Sequence, residues 1–141
     1  VAVEIQDILD GLYSHLTGDS AFNTALGGTG STAGRLYLAE AVEEATLPYA
    51  VTLVIDDVPE DTFTTTGFMV RVQFSIYTAR APGPRAATVI QDKLRARLHN
   101  ATFSITDHYT WCARCDINRG PFVDGITWRC DSDYLIQGNA T

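Results

Sequence analysis

The chain of 141 residues is 45% apolar and 19% charged, enough for one hydrophobic core and too apolar for wholesale disorder. Its formal net charge is −7, and Lys93 is the one lysine among ten basic residues. A surface of this kind is ill suited to gripping phosphate backbones, an affinity that Lys and Arg supply.

No apolar run reaches the roughly 18 residues that a bilayer requires, so no membrane partner is expected. No basic-then-apolar segment opens the chain, and no signal peptide is expected. Three cysteines make no disulfide framework, which leaves a reducing cytoplasm as the expected folding compartment.

Residues 4–17 are expected to form the first helix. Ile5, Ile8, Leu9, Leu12 and Leu16 recur at helical spacing, Glu4 and Asp7 sit where the dipole favours acids, and Gly18 ends the run. Ala21 to Leu26 adds a turn or two of helix. The stretch from Gly27 to Gly34 reads as a connecting loop, and Arg35 to Leu38 as a short strand.

Pro48 opens the first of two long strands. From Tyr49 to Asp57 the odd positions are apolar (Tyr49, Val51, Leu53, Ile55), and from Phe68 to Thr78 the even ones are (Phe68, Val70, Val72, Phe74, Ile76). Strand side chains alternate between faces, so each run has one face for a core and one for something else. The loop between them, Val58 to Gly67, is acidic, Thr-rich and longer than a tight hairpin turn.

Ala81-Pro82-Gly83-Pro84 breaks the chain before a helix over Arg85 to Asn100, with Ala87, Ile90, Leu94 and Leu98 on one stripe. Arg95, Arg97 and His99 near its end suit the dipole. The last third returns to period two. Phe103, Ile105, Tyr109, Trp111, Ala113, Cys115 and Ile117 share one face. After a turn near Arg119 to Gly125, the residues Ile126, Trp128, Cys130, Tyr134 and Ile136 alternate with Thr127, Arg129, Asp131 and Asp133, a second antiparallel pair. The fold class that results is α+β: one antiparallel sheet of four to five strands with two helices packed on it, in a single domain over residues 1–141.

No reactive constellation stands out on this frame. The glycine loop lacks the Lys-Ser/Thr ending of a phosphate cradle, and a helix precedes it where a dinucleotide fingerprint needs a strand. His108, Cys112, Cys115 and Cys130 have the inventory of a zinc site. Residues 112 and 115 differ by an odd number, however, so a strand points them to opposite faces, and buried or half-buried thiols are the expected state. His15, His99 and His108 come with no nucleophile elbow. Asp56, Asp57, Glu60 and Asp61 lack the ligand spacing of a calcium loop. Neither catalysis, nor a metal, nor a cofactor is expected. The Tyr109, Trp111, Trp128 and Tyr134 aromatics read as packing, because base-stacking platforms come with a basic groove.

Three details carry a family likeness: Leu47-Pro48-Tyr49 entering a strand, the Val-x-Phe-x-Ile-Tyr strand from Val72 to Tyr77, and the following helix that ends in Leu98-His99. Over roughly residues 5–100 the chain resembles the tail-completion (tail-terminator) proteins of long-tailed bacteriophages and gene transfer agents. The resemblance implies an antiparallel sheet with flanking helices and a structural role without turnover. It implies a hexameric ring in the virion neck, assembled in the host cytoplasm, that caps the tail tube and joins it to the head-completion or connector protein. DNA would pass through the lumen without being read by sequence. Another neck role, head closure or tube association, is the alternative, and a small ligand-binding or catalytic α+β domain is a third.

A ring subunit needs lateral surfaces and a docking feature, and open sheet edges invite pairing. Asp56, Asp57, Glu60 and Asp61 are therefore expected at the lumen or at a ring-to-ring contact. Arg71, Arg80 and Arg85 are expected to meet acids of a neighbouring copy.

Overall fold

A computed structural model describes residues 5–29, 32–39, 41, 45–59, 67–105 and 109–140. Helices α1 (Ile5–Thr17) and α2 (Ser20–Ala25) come first, followed by strands β1 (Leu36–Leu38), β2 (Tyr49–Pro59) and β3 (Gly67–Ala79). Helix α3 (Arg85–Leu98) separates these from β4 (Thr102–Ile105), β5 (Tyr109–Asp124) and β6 (Thr127–Ala140). The class is α+β, as the periodicities require. Among the described residues the strands form one six-stranded sheet in the order β1-β2-β3-β6-β5-β4. All pairings are antiparallel except β1 with β2. The sheet is a strand wider than the sequence count because the run from Phe103 to Ile117, expected as one strand, supplies both β4 and β5, and the third helix is the brief α2.

The helices cover one face of this sheet. Ile8, Leu12 and Leu16 of α1 and Ala87, Ile90, Leu94 and Leu98 of α3 are buried against Val70, Val72, Phe74 and Ile76 of β3 and Cys130, Tyr134 and Ile136 of β6. Burial of a side chain of this size is worth about 1.5–3 kcal/mol. Phe74 and Tyr134 meet edge to face with ring centroids 5.7 Å apart.

Polar contacts fix the helices in place. Gln91 of α3 is buried and its Nε2 donates to the Asp131 carbonyl (3.2 Å) and to Ser132 Oγ (3.0 Å). Arg97 Nε donates to the His15 carbonyl at 2.9 Å, which fastens α3 to α1. Burial holds the His15 imidazole below its ordinary pKa.

The glycine loop is tied down by its neighbour Asn23. The Asn23 carbonyl accepts from the Gly28 N–H at 2.8 Å and its Oδ1 accepts from the Gly34 N–H at 2.5 Å. A Cβ at position 28 would fall 2.2 Å from Asn23 Nδ2, so the close approach requires glycine. The described part of this loop is thus an anchored connector, and the N–H groups of Gly27, Gly28, Thr29, Thr32 and Gly34 are spent inside the chain.

Two sequence expectations about sides of the sheet change. In β2, the register Ala50↔Ile76, Thr52↔Phe74 and Val54↔Val72 turns the even positions towards the helices. The more apolar odd run therefore faces away from them, and Leu53 is 43% exposed. In β5, the strand runs on through residues 119–124, where a turn was expected, and the turn is only Gly125 and Ile126. Gly125 takes φ 61° there, a conformation suited to a two-residue hairpin loop. Register shifts lie between Cys115 and Ile117 and between Arg119 and Phe122. The first moves Ile117 off the face it was expected to share with Cys115, since an extra residue reverses the alternation beyond it. Ile126, expected on the apolar face, sits in the turn and is 81% exposed.

Candidate assembly surface

The face of the sheet opposite the helices is built from strand positions that the core does not use. Four rows cross it, each set by cross-strand register: Asp56–Arg71–Leu135–Arg114, Leu53–Gln73–Asp133–Ile117, Val51–Ser75–Asp131–Arg119 and Tyr49–Tyr77–Arg129–Phe122. Apart from Asp56, the β2 ends of these rows are apolar or aromatic, and most of the charges lie on the β6–β5 side, among Leu135, Ile117 and Phe122. Cross-strand neighbours of this kind interact directly, since their side chains stand side by side on one face.

Apart from Arg114, the charges of that half are internally paired. Arg71 bonds Asp116, which occupies the β5 register shift, and also lies 3.9 Å from Asp133. Arg119 donates to Asp133 at 2.9 Å, and Arg129 Nε donates to Asp131 at 2.8 Å while its other nitrogen reaches Asp124 at 3.4 Å. Asp131 and Asp133 are buried although no helix covers them, because the arginine side chains lie over them. The hydrogen bond that Arg71 donates to Asp116 raises the Arg71 pKa, and the one that Arg129 donates to Asp131 raises the Arg129 pKa, so both remain cations.

An aromatic row joins the two halves. Tyr37 of β1 meets Tyr49 edge-on at 5.9 Å, Tyr49 stacks on Tyr77 at 5.0 Å, and the Arg129 guanidinium lies 5.6 Å from the rings of both Tyr77 and Phe122. Each such cation–ring contact contributes about 0.5–1 kcal/mol where exposed. Burial pushes the Tyr77 hydroxyl pKa up, against the opposing pull of Arg129. A shallow cavity of about 310 Å³ opens here, lined by Tyr49, Leu53, Gln73, Tyr77 and Arg129 beside Ala39.

The residues singled out by sequence fall at two places. Asp56 is exposed on β2, directly across from Arg71 on β3. Asp57 follows in β2, whereas Glu60 and Asp61 lie outside the described residues. Arg71 is engaged within its own chain, as above. Arg80 lies beyond the far end of β3, 5.9 Å from the Trp128 ring, with its guanidinium 3.4 Å from the Gly125 carbonyl. Arg85 is exposed at the start of α3. Arg71 and Asp56 are thus brought together, and Arg80 and Arg85 belong to the opposite end of the strand.

The sequence reading missed Asp116, Arg119, Arg129, Asp131 and Asp133 as a network. Their signal was the alternation Thr127, Arg129, Asp131, Asp133, a polar strand face with no visible partner until β3 and β5 are placed beside it. Cys112 is exposed in register with Gln137, Cys115 is half-buried opposite Tyr134, and Cys130 is buried in the core. The three thiols do not converge, and His108 lies outside the described residues. Burial pushes the Cys130 thiol up to about 11. Among the described residues no group of three or more His, Cys, Asp and Glu is placed to hold a metal ion.

The family model described as tail completion protein gp17 matches residues 10–123, a span that runs from within α1 almost to the end of β5. Among solved structures, a chain from the virion of a native gene transfer agent particle has the same fold, with a TM-score of 0.69 at 15% identity, covering 92% of this chain and 92% of that one. No curated protein sequence matches the chain.

Proposed function

Because the chain belongs to the tail completion protein gp17 family, and is with it a structural protein of the virion tail, we propose that it forms a ring that caps the tail tube and joins it to the head–tail connector. The ring is a hexamer, its partners are the tube protein and the head-completion protein, and DNA passes through its lumen. The observation that carries this reading is the face opposite the helices. It is broad and shallow, most of its acids and arginines are already paired, and apolar side chains (Leu53, Ile117, Phe122) stand exposed on it. Large flat surfaces of mixed polarity suit protein contacts, in which fully paired charges limit the desolvation cost.

The acids Asp57, Glu60 and Asp61 line the lumen or a ring-to-ring contact in this reading, whereas Asp56, expected with them, joins Arg71, Arg80 and Arg85 in supporting contacts between copies. Mixing the purified chain with polymerising tube protein tests the role. A terminator arrests tube length and sits at one tube end as a ring of defined mass. Tubes of unaltered length with no chain bound would overturn it. A head-closure subunit would instead bind the connector and leave tube growth unchanged.

A further inference from the structure

We propose that the lateral contact of the ring is head-to-tail and level: the β2 flank of one copy meets the β5 flank of the next, row against row. The inference rests on the ring reading and names which surfaces close it. Two independent observations support a second copy of this chain as the occupant.

The first is charge. Residues 1–61, which contain α1, α2, β1 and β2, hold eleven of the seventeen acids and one of the ten basic residues, a formal net of −10. Residues 62–141, which contain β3, α3 and β4 to β6, hold six acids and nine basic residues, a net of +3. In the sheet order, β1 and β2 form one side and β5 and β4 the other. Within the flanking strands themselves, β2 holds Asp56 and Asp57 and no base, whereas on β5 Asp116, Arg119 and Asp124 are engaged inside the chain and Arg114 is left. The charge offered is thus acidic on β2 and basic at Arg114, which favours a directional contact that repeats.

The second is register. Among the described residues, β1 pairs with β2 only as far as Thr52, and β4 pairs with β5 only as far as Cys112. Beyond Thr52, β2 is a sheet edge. On β5, residues 99–101 follow the strand a little further, with Ala113 bonded to Asn100 and Ala101 and the Cys115 N–H donating to His99 Nδ1 at 2.9 Å, so its edge opens after Cys115, at the opposite corner. The rows that end there end in matching side chains. Asp56 and Arg114 terminate the same row, both are exposed, and neither forms a salt bridge among the described residues. Leu53 and Ile117 terminate the next, each 43% exposed. The aromatic row that starts at Tyr49, whose ring Tyr37 meets from the neighbouring row, ends at Phe122, which is 39% exposed. Laid side by side at one level, two copies set acid against base, aliphatic against aliphatic and ring against ring. A flank that met an unrelated partner would have no reason to match the far end of its own sheet.

A charge swap tests the pairing. Asp56→Arg or Arg114→Asp alone should raise the concentration for half-assembly of the ring by roughly tenfold or more in sedimentation, the scale of a close interfacial charge pair. The double swap should restore it. As a second route, Leu53→Cys with Ile117→Cys, in a Cys112→Ser background, should give an oxidised ladder of covalent oligomers, with each single cysteine variant stopping short of it. Rings that persist unchanged in the single swaps, with no crosslink in the double cysteine variant, would overturn the level contact while leaving the ring reading intact. A wild-type chain that stays monomeric even in the presence of tubes would sink both.

Discussion

The two faces of the sheet are built by different rules from the same strands. Under the helices, β3 and β6 present Val70, Val72, Phe74, Ile76, Tyr134 and Ile136, a continuous apolar surface buried without remainder. On the open side the intervening residues are Arg71, Gln73, Tyr77, Arg129, Asp131 and Asp133, held by ion pairs and ring contacts. The covered face makes the fold stable. The open face is largely ordered before any partner arrives, since Arg71, Arg119 and Arg129 are already fixed by acids of their own chain. A surface arranged in advance loses less side-chain entropy on association, and that is where the difference between the faces bears on assembly.

Truncation in the covered face should have the largest effect. Phe74→Ala removes a fully buried ring and its contact with Tyr134, and should cost about 3–5 kcal/mol in chemical denaturation. A loss below about 1 kcal/mol would show that the two faces do not differ as described.

The open face should respond the opposite way. Arg71→Ala breaks a pair whose side chains are 27% and 29% exposed, so the monomer should lose no more than about 1 kcal/mol, while ring assembly weakens measurably in sedimentation. Equal and large losses in both measurements would assign the pair to the core.

The smallest effect belongs to the α1–α3 junction beneath the covered face. Burial lowers the His15 pKa from 6.5, so the unfolded chain takes up this proton more readily than the folded one. The stability held by neutral His15 is complete above pH 6.5 and declines as pH falls through that value towards the lower folded pKa. The decline should show as a lower thermal midpoint at pH 5.5 than at pH 7.5, and it should shrink in His15→Gln.

The helices and the long strands were legible because their periods are strong: α1 and α3 have buried stripes at the expected positions, and β3 alternates without a break. The side of β2 was not. Its odd run is the more apolar, yet side is decided by register with β3, and Ala50, Thr52 and Val54 are what the helices have room for. In β5 the alternation fails because register shifts insert residues that a period of two does not register, and Gly120-Pro121 imitates a turn inside a strand. The open-face network was half legible for the same reason. Asp131 and Asp133 were visible as a polar stripe, but Arg119 and Arg71 reach Asp133 from strands 14 and 62 positions away in the chain, and Asp116 joins only through Arg71.

Asp116 is the supernumerary residue of its strand. Its neighbours Cys115 and Ile117 already face consecutive residues of β6, Tyr134 and Asp133, so excising position 116 would close the ladder and leave the rest of β5 opposite its present companions. Only the clasp on Arg71 would be withdrawn. The irregularity thus behaves as a detachable part, one that shorter versions of this strand can omit without redrawing either surface.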